Sequence, residues 1–102
     1  MTPPARPTTS APAPARAVAS RVMGDTALLL HPRADEVKLC NETGTLVWQL
    51  VCEGRHGVDA IAAAVAARFE VERDTAHADV VEFLGELERE GFVEWRDLPA
   101  AP

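Results

Sequence analysis

The chain predicts an α+β fold, a three-stranded antiparallel sheet followed by three helices and a short C-terminal extended segment, and three observations carry that prediction. Short apolar and β-branched runs with brief links between them fill residues 18–39. Apolar residues at helical spacing then fill 42–90, and Phe92-Val93-Glu94-Trp95 returns to alternation. Strands first and helices after favour a sheet covered on one face by helices.

The first two strands, 18–23 and 26–30, flank Gly24-Asp25, a plausible hairpin turn. Pro32 in His31-Pro32-Arg33-Ala34-Asp35 stops the second strand and holds His31 extended. The third strand, 36–39, follows after a short link, so the three strands form an antiparallel meander. Helix one spans about 42–52, with Asn41 as N-cap and Gly54 able to close it. Helix two spans 58–69, with Val58, Ile61, Ala62, Val65 and Phe69 along one stripe. Helix three runs from about 74 to Gly91 at the C′ position, burying Ala76, Val80, Phe83, Leu84 and Leu87. Three helices ending in an extended segment are typical of winged helix-turn-helix-like domains.

Residues 1–17 hold five prolines and five alanines but no acid and no large apolar side chain other than Met1. Such a segment does not repay the entropy of ordering, so a disordered, polyproline-like tail is expected, with one domain over 18–96 and fraying over 97–102. The tail has no apolar core of a secretory signal, and its prolines count against an organellar transit helix. No run approaches the ~18 apolar residues of a membrane span. The expected location is the cytoplasm, with no membrane partner.

The formal charge of −6 is unevenly spread: three arginines and no acid in the first 22 residues, then seven Lys/Arg against sixteen Asp/Glu. Eight of those acids lie between Glu70 and Glu90. Phosphates would be repelled, so nucleic acid is not an expected partner. Cys40, Cys52 and His56 match no paired-ligand spacing, and the two cysteines suit structural positions at element ends. No Ser/His/Asp or Cys/His arrangement and no glycine-rich phosphate loop is visible, so no catalytic residue, metal or cofactor is assigned.

The most informative segment runs from Val37 to Trp48. Val37 and Leu39 alternate with Glu36 and Lys38, the pattern of a half-buried strand, and the strand turns directly into a capped helix. That order leaves a sheet edge beside a helical groove, and an edge of this kind captures an extended peptide through main-chain hydrogen bonds. The charges of Glu36 and Lys38 suit an exposed strand face. On helix three, Val81 lies about 100° round from Val80, with Leu84 between them. Either Val81 and Leu84 form a groove wall, with Gly85 allowing close approach of another backbone, or Val81 packs against helix one or a loop. The candidate peptide-binding residues are therefore Glu36, Val37, Lys38, Leu39, Val81, Leu84 and Gly85.

Several stretches together resemble one family. They are Leu28-Leu29-Leu30-His31-Pro32, the series Val37-x-Leu39-x-Asn41-Glu42-Thr43-Gly44, Trp48 and Leu50, Cys52-Glu53-Gly54, Val58-Asp59-x-Ile61, Ala66-Ala67-Arg68-Phe69, and Asp79-Val80-Val81-x-Phe83-Leu84-x-x-Leu87 before Gly91-Phe92-Val93. In this order, over about residues 21–95, they resemble the PqqD family of peptide chaperones, also called RiPP recognition elements. The resemblance implies a winged-helix-like domain that holds the leader of a ribosomally made precursor peptide as an added strand, beside the third strand and helix three. It implies a non-catalytic carrier that presents the peptide to a modifying enzyme, a radical SAM protein in pyrroloquinoline quinone biosynthesis or its counterpart in a related pathway. A winged-helix DNA-binding regulator is disfavoured by the acidic third helix. A structural adaptor subunit of a modifying enzyme is the remaining alternative.

Overall fold

A computed structural model describes residues 10–33 and 37–97 of the chain. Its elements in order are β1 (Ser10–Pro14), β2 (Ala19–Met23), β3 (Thr26–Leu30), β4 (Lys38–Cys40), α1 (Glu42–Glu53), α2 (Val58–Phe69), α3 (Arg73–Arg89) and β5 (Val93–Asp97). Strands β2, β3 and β4 form an antiparallel sheet in that order, and β1 pairs antiparallel with β5 in a second, two-stranded sheet. The architecture is α+β, as the element order predicts.

The core lies between the sheets and the three helices. Ala27 and Leu29 of β3 meet Val47, Trp48 and Val51 of α1, together with Ile61, Ala62 and Val65 of α2 and Val80, Leu84 and Leu87 of α3. The helix ends follow local chemistry. Asn41 caps α1, its side-chain oxygen accepting from the Gly44 N–H at 2.8 Å. At the end of α3, Gly91 takes φ +84°, a region that favours glycine. Its N–H donates to the Glu88 carbonyl while that of Phe92 donates to Leu87, the paired bonds of a Schellman closure. Phe92 is thereby delivered to the core, 3% exposed.

Two expectations are corrected. Residues 10–14 are not a solvated tail: Ala11 and Ala13 are fully buried, and β1 lies in register with β5, Pro12 opposite Trp95 and Pro14 opposite Val93. The Ala15 N–H donates to the Phe92 carbonyl at 2.9 Å. By strand alternation, Ala11 and Ala13 then also direct their N–H groups at β5, while the two proline nitrogens point away, where a missing donor costs nothing. Small side chains that carry no hydrophobic pattern are buried because α1 and β5 close over them.

The second correction concerns the facing of β4. Cys40 pairs with Ala27 and Lys38 with Leu29, and directly opposed side chains share a face. Cys40 and Lys38 therefore turn inward with the buried Ala27 and Leu29. Leu39 is left 66% exposed and Val37 47% exposed, the reverse of the expected facing. A strand with apolar residues at both parities does not declare its buried face, and a one-residue shift inverts every side chain.

Candidate functional site

The main-chain polarity of β4 follows from the hairpin before it. The Gly24-Asp25 turn closes on the Met23–Thr26 pair, so the doubly hydrogen-bonded pairs along β2 and β3 are Met23–Thr26, Arg21–Leu28 and Ala19–Leu30. Leu28 thus turns its N–H and C=O toward β2, and Ala27 and Leu29 turn theirs toward β4. Lys38 and Cys40 face back to β3, and Leu39 presents both its N–H and its C=O to the outer edge of the sheet. No strand pairs with that edge among the described residues. A buried relay agrees with this assignment: the Ala27 N–H donates to Thr45 Oγ1 at 2.8 Å, and Thr45 Oγ1 donates to the Cys40 carbonyl at 3.3 Å. That hydroxyl ties α1 to the sheet immediately beside the open edge.

Helix α3 runs alongside. The Lys38 ammonium donates to Glu90 at 2.7 Å and lies 3.5 Å from Glu86, joining β4 to the C-terminal half of α3. Burial disfavours the charged ammonium, but the hydrogen bond and attraction of Glu90, with a further contribution from Glu86, outweigh it and hold Lys38 above its ordinary pKa of 10.5. Toward the other end of α3, a cavity of about 230 Å³ opens between Thr43, Gly44 and Val47 of α1 and Asp79, Val80 and Phe83 of α3. Gly44 sets how closely the two helices approach, since a Cβ there would sit 3.0 Å from Phe83 Cζ and 3.3 Å from the Cys40 Cβ. The cleft therefore runs from a salt-bridged end at Lys38 to an apolar hollow with one carboxylate, Asp79, at its lip.

Of the seven residues selected from sequence, Val37, Lys38 and Leu39 lie on or beside the open strand, and Glu36 lies outside the described residues. The three on α3 are not brought to it. Leu84 is 1% exposed and packs in the core. Val81, 47% exposed, sits about 140–160° round the helix from the Glu86 and Phe83 positions that meet β4 and the hollow, and Gly85 about 100° round from Glu86. A Cβ on Gly85 would meet only the Arg89 guanidinium, at 3.4 Å, so no close packing calls for glycine there. The α3 side of the cleft is instead Asp79, Phe83, Glu86 and Glu90. Sequence reasoning passed over Gly44, although a glycine in the first turn of a helix is itself a packing signal.

The buried Cys40 thiol is pushed above its ordinary pKa by burial, which leaves it protonated and poorly nucleophilic. Both cysteines are free thiols. No group of three His, Cys, Asp or Glu able to hold a metal ion occurs among the described residues. No helix among them is long and apolar enough to cross a membrane.

Comparison with known proteins agrees with this architecture. No curated protein matches the chain. Among solved structures, one described as TbiB1 in complex with the TbiA(beta) leader peptide superposes with a TM-score of 0.74 at 28% identity, covering 80% of this chain and 94% of that one. A lasso peptide synthetase B1 complexed with a leader peptide gives 0.72 at 23% identity, covering 81% and 96%. The PqqD truncation of Methylobacterium extorquens PqqCD, a stand-alone RiPP recognition element, gives 0.66 at 24% identity, covering 81% and 87%. The last two identities establish a shared fold. The family model for coenzyme PQQ synthesis protein D (PqqD) matches residues 26–93, from β3 to the start of β5, and the chain belongs to the PqqD family.

Proposed function

We propose that this chain is a non-catalytic peptide chaperone that binds the leader of a ribosomally made precursor as an added strand on β4 and presents it to a modifying enzyme. The observation that carries the reading is the open main chain of Leu39, beside a hollow between α1 and α3 sized for one or two apolar side chains. An extended peptide would exchange two hydrogen bonds with Leu39 and place alternate side chains toward the cleft and toward the outer face. Val37 and Leu39 supply the edge, and Lys38 braces the strand against α3. The apolar anchor of the peptide goes to Val47 and Phe83.

Membership of the PqqD family and the leader-bound neighbours support this reading. The modifying enzyme is, by the same resemblance, a radical SAM protein of pyrroloquinoline quinone biosynthesis or its counterpart in a related peptide pathway, acting in the cytoplasm. A strand of six to eight residues buries little surface, and ordering it offsets much of the gain. Micromolar to submicromolar affinity, roughly −8 to −10 kcal/mol, is expected.

The test is an amide-shift titration with the leader of the precursor encoded beside this gene. Shifts are expected along β4 and at Gly44, Val47 and Phe83. Replacing Leu39 with proline removes the outward N–H and should weaken binding at least about tenfold. Circular dichroism must show the variant folded. Full affinity in a folded Leu39→Pro chain would eliminate strand addition at this edge.

A further inference from the structure

The sheet buries one face on the core, and no described element covers the other. Its register sets Arg21, Leu28 and Leu39 in one row across the three strands and Ala19 beside Leu30 in the next. On this outer face Met23 is 52% exposed, Leu30 47% and Leu39 66%. Single exposed apolar side chains are ordinary, but a contiguous set across a whole sheet face marks an interaction surface. Arg21 is the face's only charged residue among the described strand positions, and it has no carboxylate partner among the described residues. The strands of this sheet contain no acid within their described bounds, while acids crowd α3. An apolar face with one cation that no described carboxylate pairs, on a chain of net charge −6, fits a partner whose own apolar patch carries carboxylates.

We propose that this outer face, extended by the leader strand, is the surface by which the chaperone docks onto the modifying enzyme, and that the enzyme meets it with an apolar patch bearing a carboxylate opposite Arg21. The inference rests on strand addition at β4. A peptide strand on that edge continues the sheet, and every second side chain then stands on the outer face in line with Leu39. The enzyme therefore reads chaperone and leader as one surface. Each should raise the affinity of the other by the same factor.

The experiment uses the full chain, a fluorescent synthetic leader and the purified enzyme encoded beside the precursor gene. Leu30→Glu and Met23→Glu lie away from the open edge; if folded by circular dichroism, they should keep leader affinity within about twofold and lose at least about tenfold in enzyme affinity measured with leader present. Arg21→Glu should weaken the enzyme comparably, and Arg21→Lys should restore most of it. Unchanged enzyme affinity in the folded variants overturns the proposal. So does parallel loss of leader affinity, or a wild-type dimer by sedimentation that Leu30→Glu splits, which would assign the face to a second copy. A wild-type chain that takes up no leader yet binds the enzyme, with Leu30→Glu failing to bind it, supports the face and overturns strand addition instead.

Discussion

Thr45 is the residue at which β3, β4 and α1 meet. It is 3% exposed, and its hydroxyl relays a hydrogen bond from the Ala27 amide to the Cys40 carbonyl, where a direct ladder bond would otherwise run. A buried amide left without a partner costs about 1–3 kcal/mol. Thr45→Val keeps the shape and removes the relay, so it should destabilise the domain by that amount in urea unfolding. Thr45→Ser keeps the hydroxyl and should cost less. Equal stability of Thr45→Val and wild type would show that the Ala27 amide finds another acceptor.

At the scale of elements, β1 is the piece that local reasoning misjudges most. Its alanines sit fully buried against β5 and α1, and its prolines occupy positions whose nitrogens face away from the ladder. If β1 belongs to the folded core, Ala13→Asp buries an unpaired carboxylate and should cost roughly 3 kcal/mol or more. The same change at the exposed Arg16 should be nearly silent. Thermal melting separates the two, and a melting temperature unmoved by Ala13→Asp would return this segment to solvent. β4 makes the converse point: only three residues long, it is held by pairing to β3, by the Thr45 relay and by Lys38. A short, pinned edge strand accepts a partner without inviting aggregation.

At the scale of the whole molecule, Lys38 is the one lysine, the chain has no tyrosine, and its ammonium joins the sheet layer to α3. Its pKa is raised on folding, so its contribution to stability is complete below the unfolded value near 10.5 and disappears as pH climbs through the higher folded value. Thermal melts between about pH 9 and 12 should show an alkaline loss that Lys38→Met lacks, apart from the share due to the two thiols. Identical alkaline profiles in both proteins would mean that the ion pair adds nothing to the fold. Charge is also divided across the molecule, with acids on α3 and, on the sheet, an arginine that has no carboxylate partner among the described residues.

Helices α1, α2 and α3, the hairpin and the Asn41 and Gly91 caps are legible from residue pattern alone, because a 3.6-residue period, a cap and a two-residue turn are each set by neighbours a few positions away. The same local logic places a strand directly before α1. Which face of that strand is buried, which side of α3 lies beside it, and whether a run of Ala and Pro belongs to the core are decided by pairings tens of residues apart. Cys40 with Ala27, Lys38 with Glu90 and Ala13 with Glu94 are three such pairings. The sequence by itself determined the elements and their order. That Leu39 faces outward and that Val81 lies away from the cleft was decided by the packed fold, because burial is a property of what the rest of the chain brings alongside.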